Sequence, residues 1–404
     1  MIRPWGSGLR RSPPFKKGND TMAMRASWIE IDLEQIRKNV RFLKSRTAPG
    51  AKFMGVVKGD GYGCGAIPVA NILAQEGADC FAVALVQEGV ELRNAGFTQP
   101  ILLLGHTFVE DYPEVLQFNL TASIFTVEQA QRLNDYAASL GKKATIHVKV
   151  DTGMGRLGFL VDDADTVDNI AAICAMPNLY VEGIFSHFAN SWDIADHSYP
   201  DLQFAKFNAL IDKLKARGIN IPIRHMANSA ATIARPEYHM DLVRPGTTIC
   251  GMSVGPEIDA LPYMELYPAV EIKSKLAYVK PVPAGTKVSY GSLFETTKPS
   301  VLGIVPLGYV DGIFRQQCNV GSVLLHGKRC PMVGKVCMDQ FVIDISEVEN
   351  PQEGDEIVIV GRQGEEYISL EEIGEKSGTI SIEVLCDIGK RMPIVYKGGW
   401  EPQV

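Results

Sequence analysis

The chain contains 404 residues, of which 46% are hydrophobic and 22% are charged, and its formal net charge at pH 7 is −7. A chain of this length can form two domains, and its composition is that of an ordinary globular protein. The acidic balance argues against a nucleic-acid partner, because a protein that binds a polyanion needs a basic face to displace its counterions. No apolar run approaches the roughly 18–20 residues that a membrane-spanning helix needs, so we expect small-molecule ligands and no membrane.

Cysteine usage indicates a reducing compartment. The eight cysteines form no CxxC pair and lie mostly within apolar runs such as residues 78–84, as is typical of reduced core residues in a cytoplasmic protein. The sequence does not indicate a metal site.

Residues 1–24 differ from the rest of the chain, because arginine and lysine are interspersed there with glycine and proline and no apolar segment is present. This pattern excludes a secretory signal and matches a transit peptide poorly. We expect a disordered or non-native leader, with Met22 or Met24 as the natural initiator.

Residues 25–262 predict strands that alternate with helices. A strand at 28–32 precedes a helix, and a later helix at 126–140 has the capping-box pattern of Thr126 and Gln129. Eight short apolar runs, each followed by a helical pattern, occupy residues 53–57, 81–85, 101–104, 122–125, 146–150, 181–185, 223–226 and 241–243. This alternation predicts a parallel sheet, and a count of eight favours a (β/α)8 TIM-type barrel over an open doubly wound sheet.

Residues 263–404 predict a second, mostly β domain. The segment at 253–268 is irregular and rich in proline, and it marks the boundary. One helix is predicted near 369–377. Extended segments separated by turn residues are predicted at 270–280, 286–290, 301–307, 322–325, 340–345 and 356–360.

The stretch GVVKGDGYGCG at 55–65 places one lysine, Lys58, at the end of a buried strand, among glycines. Glycine backbone leaves room for a bulky planar group, and apolar surroundings lower the pKa of an amine. We therefore expect Lys58 to bind pyridoxal phosphate as a Schiff base. A lysine that caps a strand and reaches solvent is the alternative, and this stretch alone does not exclude it.

In a barrel of this kind the active site lies at the carboxyl ends of the strands. Five of the eight predicted strand ends carry polar side chains there, and the last two suggest a phosphate site. Ser229 opens a predicted helix, whose free N–H groups favour an anion, and Gly246 and Thr247 let backbone approach the same oxygens. Asn228 and Ser229 are also ordinary helix N-caps, and that alternative stays open.

From about Trp28 to Tyr396 the chain resembles the alanine racemase family, the fold-type III pyridoxal-phosphate racemases. GVVKGDGYG resembles the lysine motif of that family. Eight later segments resemble further motifs of the family, in the same order: KVDTGMGRLGF, SHFA, ANSAA, VRPG, VSYG, GYVDG, VCMDQ and RMPIVY.

The resemblance implies a homodimer with shared active sites and a two-base mechanism that interconverts L-alanine and D-alanine. Lys58 would hold the cofactor and act as the base on one face of the substrate α-carbon. Tyr290 of the partner subunit would act on the opposite face. His187, linked to Arg244, would support that tyrosine, and D-alanine would serve as a peptidoglycan precursor or enter catabolism.

The resemblance also implies roles for other residues. Arg244 would meet the pyridine nitrogen and leave it unprotonated, because an arginine donates and does not give up its proton. Arg156 would bind the phenolic oxygen of the cofactor and the substrate carboxylate, and Lys149 corresponds to a carbamylated lysine that supports Arg156. Further binding residues are implied for the substrate (Met338 and Tyr309, with Arg315 in the entry corridor) and for the phosphate (Tyr62, Ser229, Gly246, Thr247 and Tyr396).

Departures from the family motifs keep the substrate open. They are Gly59-Asp60-Gly61, Cys64, Thr247 and Lys335, and they leave a racemase with serine, lysine or broad preference as the alternative. A decarboxylase on a barrel and β-domain framework would be expected to set an acidic residue where Arg244 stands. A protein that only binds the cofactor on a barrel leaves residues 266–404 unexplained.

Overall fold

The computed structural model describes residues 25–389 and 391–398. The predicted leader at 1–24 lies outside the described residues. Every helix in the described ranges is too short or too polar to cross a lipid bilayer.

The first part of the chain alternates strands and helices, as the periodicity predicts. In chain order it contains β1 (Ser27–Asp32), α1 (Leu33–Arg46), β2 (Lys52–Val56), α2 (Lys58–Tyr62), α3 (Ala66–Gln75), β3 (Cys80–Val83), α4 (Val86–Asn94), β4 (Ile101–Leu103), α5 (Tyr112–Gln117), β5 (Ala122–Ile124), α6 (Val127–Ser139), β6 (Ala144–Asp151), β7 (Phe159–Leu160), α7 (Thr166–Cys174), β8 (Leu179–Phe185), α8 (Ser198–Ala216), β9 (Ile223–His225), α9 (Ser229–Ala234), β10 (Leu242–Val243) and α10 (Pro256–Asp259).

Eight of these strands are the ones predicted from the apolar runs, and they pair in parallel. One sheet has the order β10-β2-β3-β4 and the other the order β5-β6-β8-β9, with the short β7 paired to β6. Backbone hydrogen bonds join the two sheets at both edges. Leu103 N donates to Thr121 O at 2.9 Å beside β4, and Arg244 N donates to Ala227 O at 3.0 Å beside β10. The carboxyl ends of all eight strands therefore face the same side.

Local chemistry explains the element ends. The side chain of Asp32 caps α1 by accepting from the N–H groups of Glu34 and Gln35, and Thr126 caps α6 by accepting from the N–H of Gln129. The capping box predicted at α6 is only half formed, because the side chain of Gln129 accepts from the N–H of Phe125 instead of that of Thr126. Strands such as β3 are buried at every position, as parallel strands covered by helices must be.

The second part of the chain is rich in β-strands. It contains β11 (Val270–Lys275), β12 (Tyr278–Val282), β13 (Lys287–Val288), β14 (Phe294–Glu295), β15 (Ser300–Val305), β16 (Ser322–Leu325), β17 (Lys328–Pro331), β18 (Phe341–Asp344), β19 (Glu356–Gln363), β20 (Glu366–Ile368), α11 (Leu370–Ser377), α12 (Ser381–Asp387) and β21 (Ile394–Lys397).

Its largest sheet has the order β17-β16-β19-β11-β1-β21, with β20 paired to β19. Strand β1 therefore lies between β11, which runs antiparallel to it, and β21, which runs parallel. The predicted boundary groups this first strand with residues 25–262, whereas its hydrogen bonds lie in the sheet of the β-rich part. The single strand predicted at 270–280 is two strands, β11 and β12, and helix α12 is absent from the sequence prediction.

Candidate active site

Lys58 follows the end of β2, where the sequence predicts it, and the chain then turns the opposite way to an ordinary helix. Gly59, Asp60 and Gly61 have φ values of 61°, 51° and 63°, and Tyr62 has a φ of 58°. Glycine adopts this left-handed region freely, whereas side chains with a Cβ resist it. The glycines that follow Lys58 therefore shape a left-handed turn.

The carboxylate of Glu88, in the first turn of α4, holds this turn in place. Its Oε1 accepts from the N–H of Gly59 at 2.6 Å, and its Oε2 accepts from the N–H groups of Ala84 and Leu85 at 2.7 Å and 3.0 Å. Burial lowers the pKa of the Lys58 amine, and the positive charge of Arg156 lowers it further. The amine is thus a better nucleophile at neutral pH than a free lysine.

Two tyrosine hydroxyls lie against glycines beside this turn. A Cβ on Gly246 would collide with the Oη and ring of Tyr62, and a Cβ on Gly65 would collide with the Oη of Tyr396. Only a residue without a side chain fits at either place. The Tyr62 hydroxyl thus lies beside Gly246, in the loop where the sequence predicts the phosphate, whereas the Tyr396 hydroxyl lies beside Gly65, next to the turn that follows Lys58.

The loops after β9 and β10 meet at the same place. Ser229 Oγ accepts from the N–H of Gly246 at 2.9 Å, so the first residue of α9 is bonded to the loop after β10. Asn228 caps α9 by accepting from the N–H of Ala231 at 3.1 Å, as its alternative role predicts. Thr247 begins a short 3-10 helix, Thr247–Cys250.

Arg244 is buried, with 5% of its surface exposed. Its guanidinium donates to Nδ1 of His225 at 2.6 Å, to the carbonyl oxygens of Ser186 and Met226 at 2.9 Å and 3.1 Å, and to Nδ1 of His187 at 3.3 Å. The expected link between His187 and Arg244 is therefore present, but the bond to His225 is much shorter. Sequence reasoning missed His225.

Positive charge is concentrated at this site. Burial, and then Arg156, lower the pKa of Arg244 to about 9, which still leaves the guanidinium charged at neutral pH. Burial and the neighbouring Arg244 hold the pKa of His187 well below its usual range, so this histidine is neutral. An anionic ligand would compensate this excess of positive charge.

Lys149 lies next to this cluster and is buried. Its Nζ has no hydrogen-bond partner among the described residues and lies 4.8 Å from the centre of the Phe185 ring. Burial, and then the charges of Arg244 and Arg156, hold the pKa of the Lys149 amine well below its usual range. The sequence predicts a carbamylated lysine at this position, and an amine with a lowered pKa and no partner among the described residues suits that chemistry.

The loop after β6 is built around one carboxylate. Asp151 Oδ1 accepts from the N–H groups of Gly153 and Met154 at 2.8 Å each, and its Oδ2 accepts from that of Arg156 at 3.1 Å. Although burial alone would raise the pKa of Asp151, these backbone donors lower it. Asp151 thus fixes the backbone of Arg156, whose side chain is exposed.

A second group of predicted residues lies in the β-rich part. Tyr290, Met338 and Tyr309 have 71%, 52% and 43% of their surface exposed. Tyr309, Arg315 and Lys335 line a cavity of about 720 Å³. Within the described residues of one chain, Tyr290 makes no hydrogen bond with Lys58.

The loop that carries Tyr309 is anchored from both ends of the described chain. Asp311, which is fully buried, accepts from Arg25 at 2.7 Å and from Arg391 at 2.9 Å. Its other oxygen accepts from the N–H of Gly308 at 3.0 Å. The backbone N–H of Tyr309 donates to Cys337 O at 3.0 Å, which joins the segments GYVDG and VCMDQ.

Comparison with known proteins decides the family. Residues 31–254 match the model for "Alanine racemase, N-terminal domain" and residues 269–396 that for "Alanine racemase, C-terminal domain". The chain belongs to the alanine racemase family. This confirms the resemblance drawn from the nine motifs.

Individual relatives agree with this assignment. An alanine racemase of Methanococcus maripaludis is 42% identical, and the alignment covers 93% of this chain and all of that one. The solved structure of an alanine racemase from Clostridium difficile 630 has a TM-score of 0.88 and 36% identity over 93% of this chain and 97% of that one. A histidine racemase from Leuconostoc mesenteroides subsp. sake has a TM-score of 0.83 and 26% identity over 93% and 99%.

The residues present fit pyridoxal phosphate. The family site needs an amine to bind the cofactor, donors for its phosphate and a cation at its ring nitrogen. Lys58 can supply the amine, the hydroxyls of Ser229 and Tyr62 lie beside Gly246, and Arg244 is charged and buried. No cluster of metal-ligating residues occurs in the described part of the chain, and all eight cysteines are free thiols.

Sequence reasoning missed Glu88, His225 and His147, which are the contacts beneath the predicted site. His147, Lys149 and Asp151 are each two residues apart along β6, so the period of two in a strand predicts that all three side chains point to the same face. That signal was available for His147. The sequence signal for Glu88 is weaker, because it is only that an acidic residue stands in the first turn of a helix that follows a strand.

Proposed function

We propose that this chain interconverts L-alanine and D-alanine with pyridoxal phosphate held by Lys58. The observation that carries the proposal is the position of Lys58 in a member of the alanine racemase family. Lys58 follows the end of a parallel strand, on a turn that a hydrogen bond to Glu88 holds in place. The pKa of its amine is lowered. When bound, pyridoxal phosphate draws electrons from the substrate α-carbon and makes its hydrogen acidic.

Two side chains would then transfer protons on opposite faces of the substrate α-carbon. The Lys58 amine would hold or give a proton at Nζ on one face of the α-carbon. Tyr290 of the partner subunit does the same on the other face, so inversion needs two chains. The exposure of Tyr290 and Met338 supports this arrangement, because a homodimer interface would cover both side chains.

Arg244 and Arg156 orient the two ends of the bound molecule. Arg244 is the residue that would face the pyridine nitrogen, and as a permanent donor it leaves that nitrogen unprotonated. Arg156 would bind the substrate carboxylate, with Met338 of the partner subunit. We propose that Lys149 is carbamylated, which replaces its amine by an anion beside two arginines. In that step the amine nitrogen bonds to the carbon of CO2 and one N–H proton is released.

The proposal also covers the domain architecture, the phosphate site, the oligomeric state and the cellular location. The eight parallel strands, whose two sheets are bonded at both edges, would close into a (β/α)8 barrel of residues 25–262, followed by a β domain of residues 263–404. The phosphate would be bound by Tyr62, Ser229, Gly246, Thr247 and Tyr396, with Asn228 as the cap of α9. We propose a cytoplasmic homodimer that supplies D-alanine for peptidoglycan.

The second candidate function is a racemase of the same family with another side-chain preference. Cys64, Thr247 and Lys335 depart from the family motifs, and a histidine racemase shares the fold. One methylene more or less in a pocket changes discrimination by only about 1–3 kcal/mol.

Incubation with single L-amino acids tests both candidates. The purified protein is given Ala, Ser, Lys, Arg or His in turn, and the D-enantiomer is quantified on a chiral column. The proposal predicts that D-alanine forms fastest and that Lys58→Ala forms none. Faster formation of D-serine, D-lysine or D-histidine would establish the second candidate instead.

A further inference from the structure

A series of side-chain hydrogen bonds leads from Arg244 through two buried histidines to Glu182. Arg244 meets Nδ1 of His225 at 2.6 Å, and Nε2 of His225 lies 2.9 Å from Nδ1 of His147. Nε2 of His147 lies 3.2 Å from Oε2 of Glu182, on β8. The two histidines are 0% and 2% exposed, so water does not interrupt the chain.

Glu182 lies at the amino-terminal edge of the parallel strands. It lines a cavity of about 50 Å³ together with His147 and the residues that begin or precede β2, β3, β4, β5, β9 and β10. The catalytic residues lie at the carboxyl ends of the same strands. The hydrogen-bonded chain thus connects the two ends of the strand layer.

The directions of these bonds are set from both ends of the series, by Arg244, which only donates, and by the ionised Glu182, which only accepts. Arg244 can only donate, so Nδ1 of His225 must accept and carries no proton. Burial lowers the pKa of both His225 and His147, so each ring is neutral and has one proton. That proton is on Nε2 of His225, which donates to Nδ1 of His147, and Nε2 of His147 must then donate to Glu182.

A carboxylate completes this pattern because it accepts and never donates. The hydrogen bond from His147, opposed by burial, lowers the pKa of Glu182 and keeps it ionised. A donor in place of Glu182 would allow the opposite tautomers, in which an N–H of His225 faces the N–H of Arg244. A buried guanidinium would then lose its shortest hydrogen bond.

We propose that Glu182 is a positioning residue of this racemase, which fixes the tautomers of His147 and His225 and through them the orientation of the Arg244 guanidinium. The effect on catalysis rests on the proposed function, in which Arg244 faces the cofactor nitrogen. The effect on the tautomers does not rest on the proposed function, because it involves only side chains of the protein and no cofactor.

The tautomers can be measured without the cofactor. The cofactor-free protein is labelled with 15N-histidine, and the ring nitrogens of His147 and His225 are assigned with His147→Gln and His225→Gln variants. The proposal predicts a protonated Nε2 and a bare Nδ1 on both rings in the wild type. In Glu182→Gln, whose amide can donate as well as accept, the protonated Nδ1 form should become populated. A protonated Nδ1 on His225 in the wild type would overturn the proposal, even if no Glu182 variant folds.

Kinetics of the loaded enzyme provide the second readout. Glu182→Gln should lower kcat by roughly tenfold, the loss typical when the residue that orients a metal-ligating histidine is removed. KM should change much less, and the visible absorbance of the cofactor should be altered. Glu182→Asp, which keeps the carboxylate, should recover part of kcat. Lys52→Gln removes a charge from the same cavity but keeps the Glu182 carboxylate and its bond to His147, so as the matched control it should keep the wild-type tautomers and most of kcat.

The outcomes separate the two proposals. Unchanged ring tautomers in Glu182→Gln, with kcat within twofold of the wild type, would refute the positioning role while racemisation stands. The predicted tautomers in a protein that racemises no amino acid would refute the proposed function and leave the role of Glu182 in orienting Arg244 intact.

Discussion

Oε1 of Glu88 accepts a 2.6 Å hydrogen bond from the backbone N–H of Gly59, the residue that follows Lys58. The same carboxylate accepts from two N–H groups at the start of α4. One side chain therefore links the helix after β3 to the left-handed turn after β2. This link holds the Lys58 backbone in the conformation that aims its amine.

Replacing Glu88 by alanine should destabilise the protein and slow the attachment of the cofactor. Three backbone donors would lose a charged acceptor, which costs about 2–3 kcal/mol of the free energy of unfolding. Urea unfolding of the cofactor-free protein measures the first effect, and the rate of borohydride trapping of pyridoxal phosphate on Lys58 measures the second. Glu91→Ala, an exposed position on the same helix, should change neither, and equal behaviour of the two variants would contradict the prediction.

Gly246→Ala should weaken cofactor binding by steric displacement of Tyr62. A Cβ added at Gly246 would lie too close to the Oη of Tyr62, so the tyrosine must move away to make room for it. Loss of one hydrogen bond to phosphate should raise the Kd for pyridoxal phosphate about tenfold. Fluorescence titration of the cofactor-free protein measures this change.

A double-mutant cycle checks the mechanism of that loss. In a Tyr62→Phe background the hydroxyl is already absent, so Gly246→Ala should cost much less than it does in the wild type. Additive losses would indicate that Gly246 acts without Tyr62.

The sequence predicts the order of the parallel strands well, because each strand and its helix carry their own periodicity. The sequence predicts poorly which strands pair when the partners are far apart along the chain. Strand β1 is followed by a strongly patterned helix, so it is easily grouped with the strands that follow, yet its partners are β11 and β21. No local sequence pattern can predict a partner strand that lies more than two hundred residues away.

The same distinction applies to the site. Lys58 and Arg244 lie at strand ends with distinctive neighbours, and both can be chosen from the sequence. His225 and Glu182 have no distinctive neighbours, and their importance comes from a chain of contacts between β6, β8 and β9. Helix α12 is short and weakly patterned, although the carbonyl of its Leu385 lies close to Gly63 beside the Lys58 turn.

Lys149→Met should stabilise the cofactor-free protein in buffer free of CO2. The folded-state pKa of Lys149 is below its unfolded value, so the unfolded chain binds more protons and the wild type gains stability as the pH rises. Removing a buried amine without a partner should raise the free energy of unfolding at pH 7 by about 1–3 kcal/mol, the usual cost of an unsatisfied buried donor. The gain should shrink as the pH approaches the unfolded pKa, and urea unfolding at two pH values measures both effects.

Lys143→Met is the control for that substitution, because Lys143 is exposed just before the same strand, and it should leave stability nearly unchanged. Added 13C-bicarbonate should give a carbamate signal in the wild type and in Lys143→Met but not in Lys149→Met. A signal that survives in Lys149→Met would place the modification elsewhere.

Complementation between Lys58→Ala and Tyr290→Phe should restore racemisation, because the two residues of one active site come from different chains in the proposed dimer. Each variant alone should have lost nearly all activity. After a one-to-one mixture is dissociated and reassociated, half of the dimers should be hybrids, and each hybrid has one intact site and one doubly altered site. The mixture should therefore recover roughly a quarter of wild-type kcat per chain. If both residues of a site belonged to one chain, every site would carry one substitution and mixing would recover nothing, so the recovered fraction decides how the bases are shared.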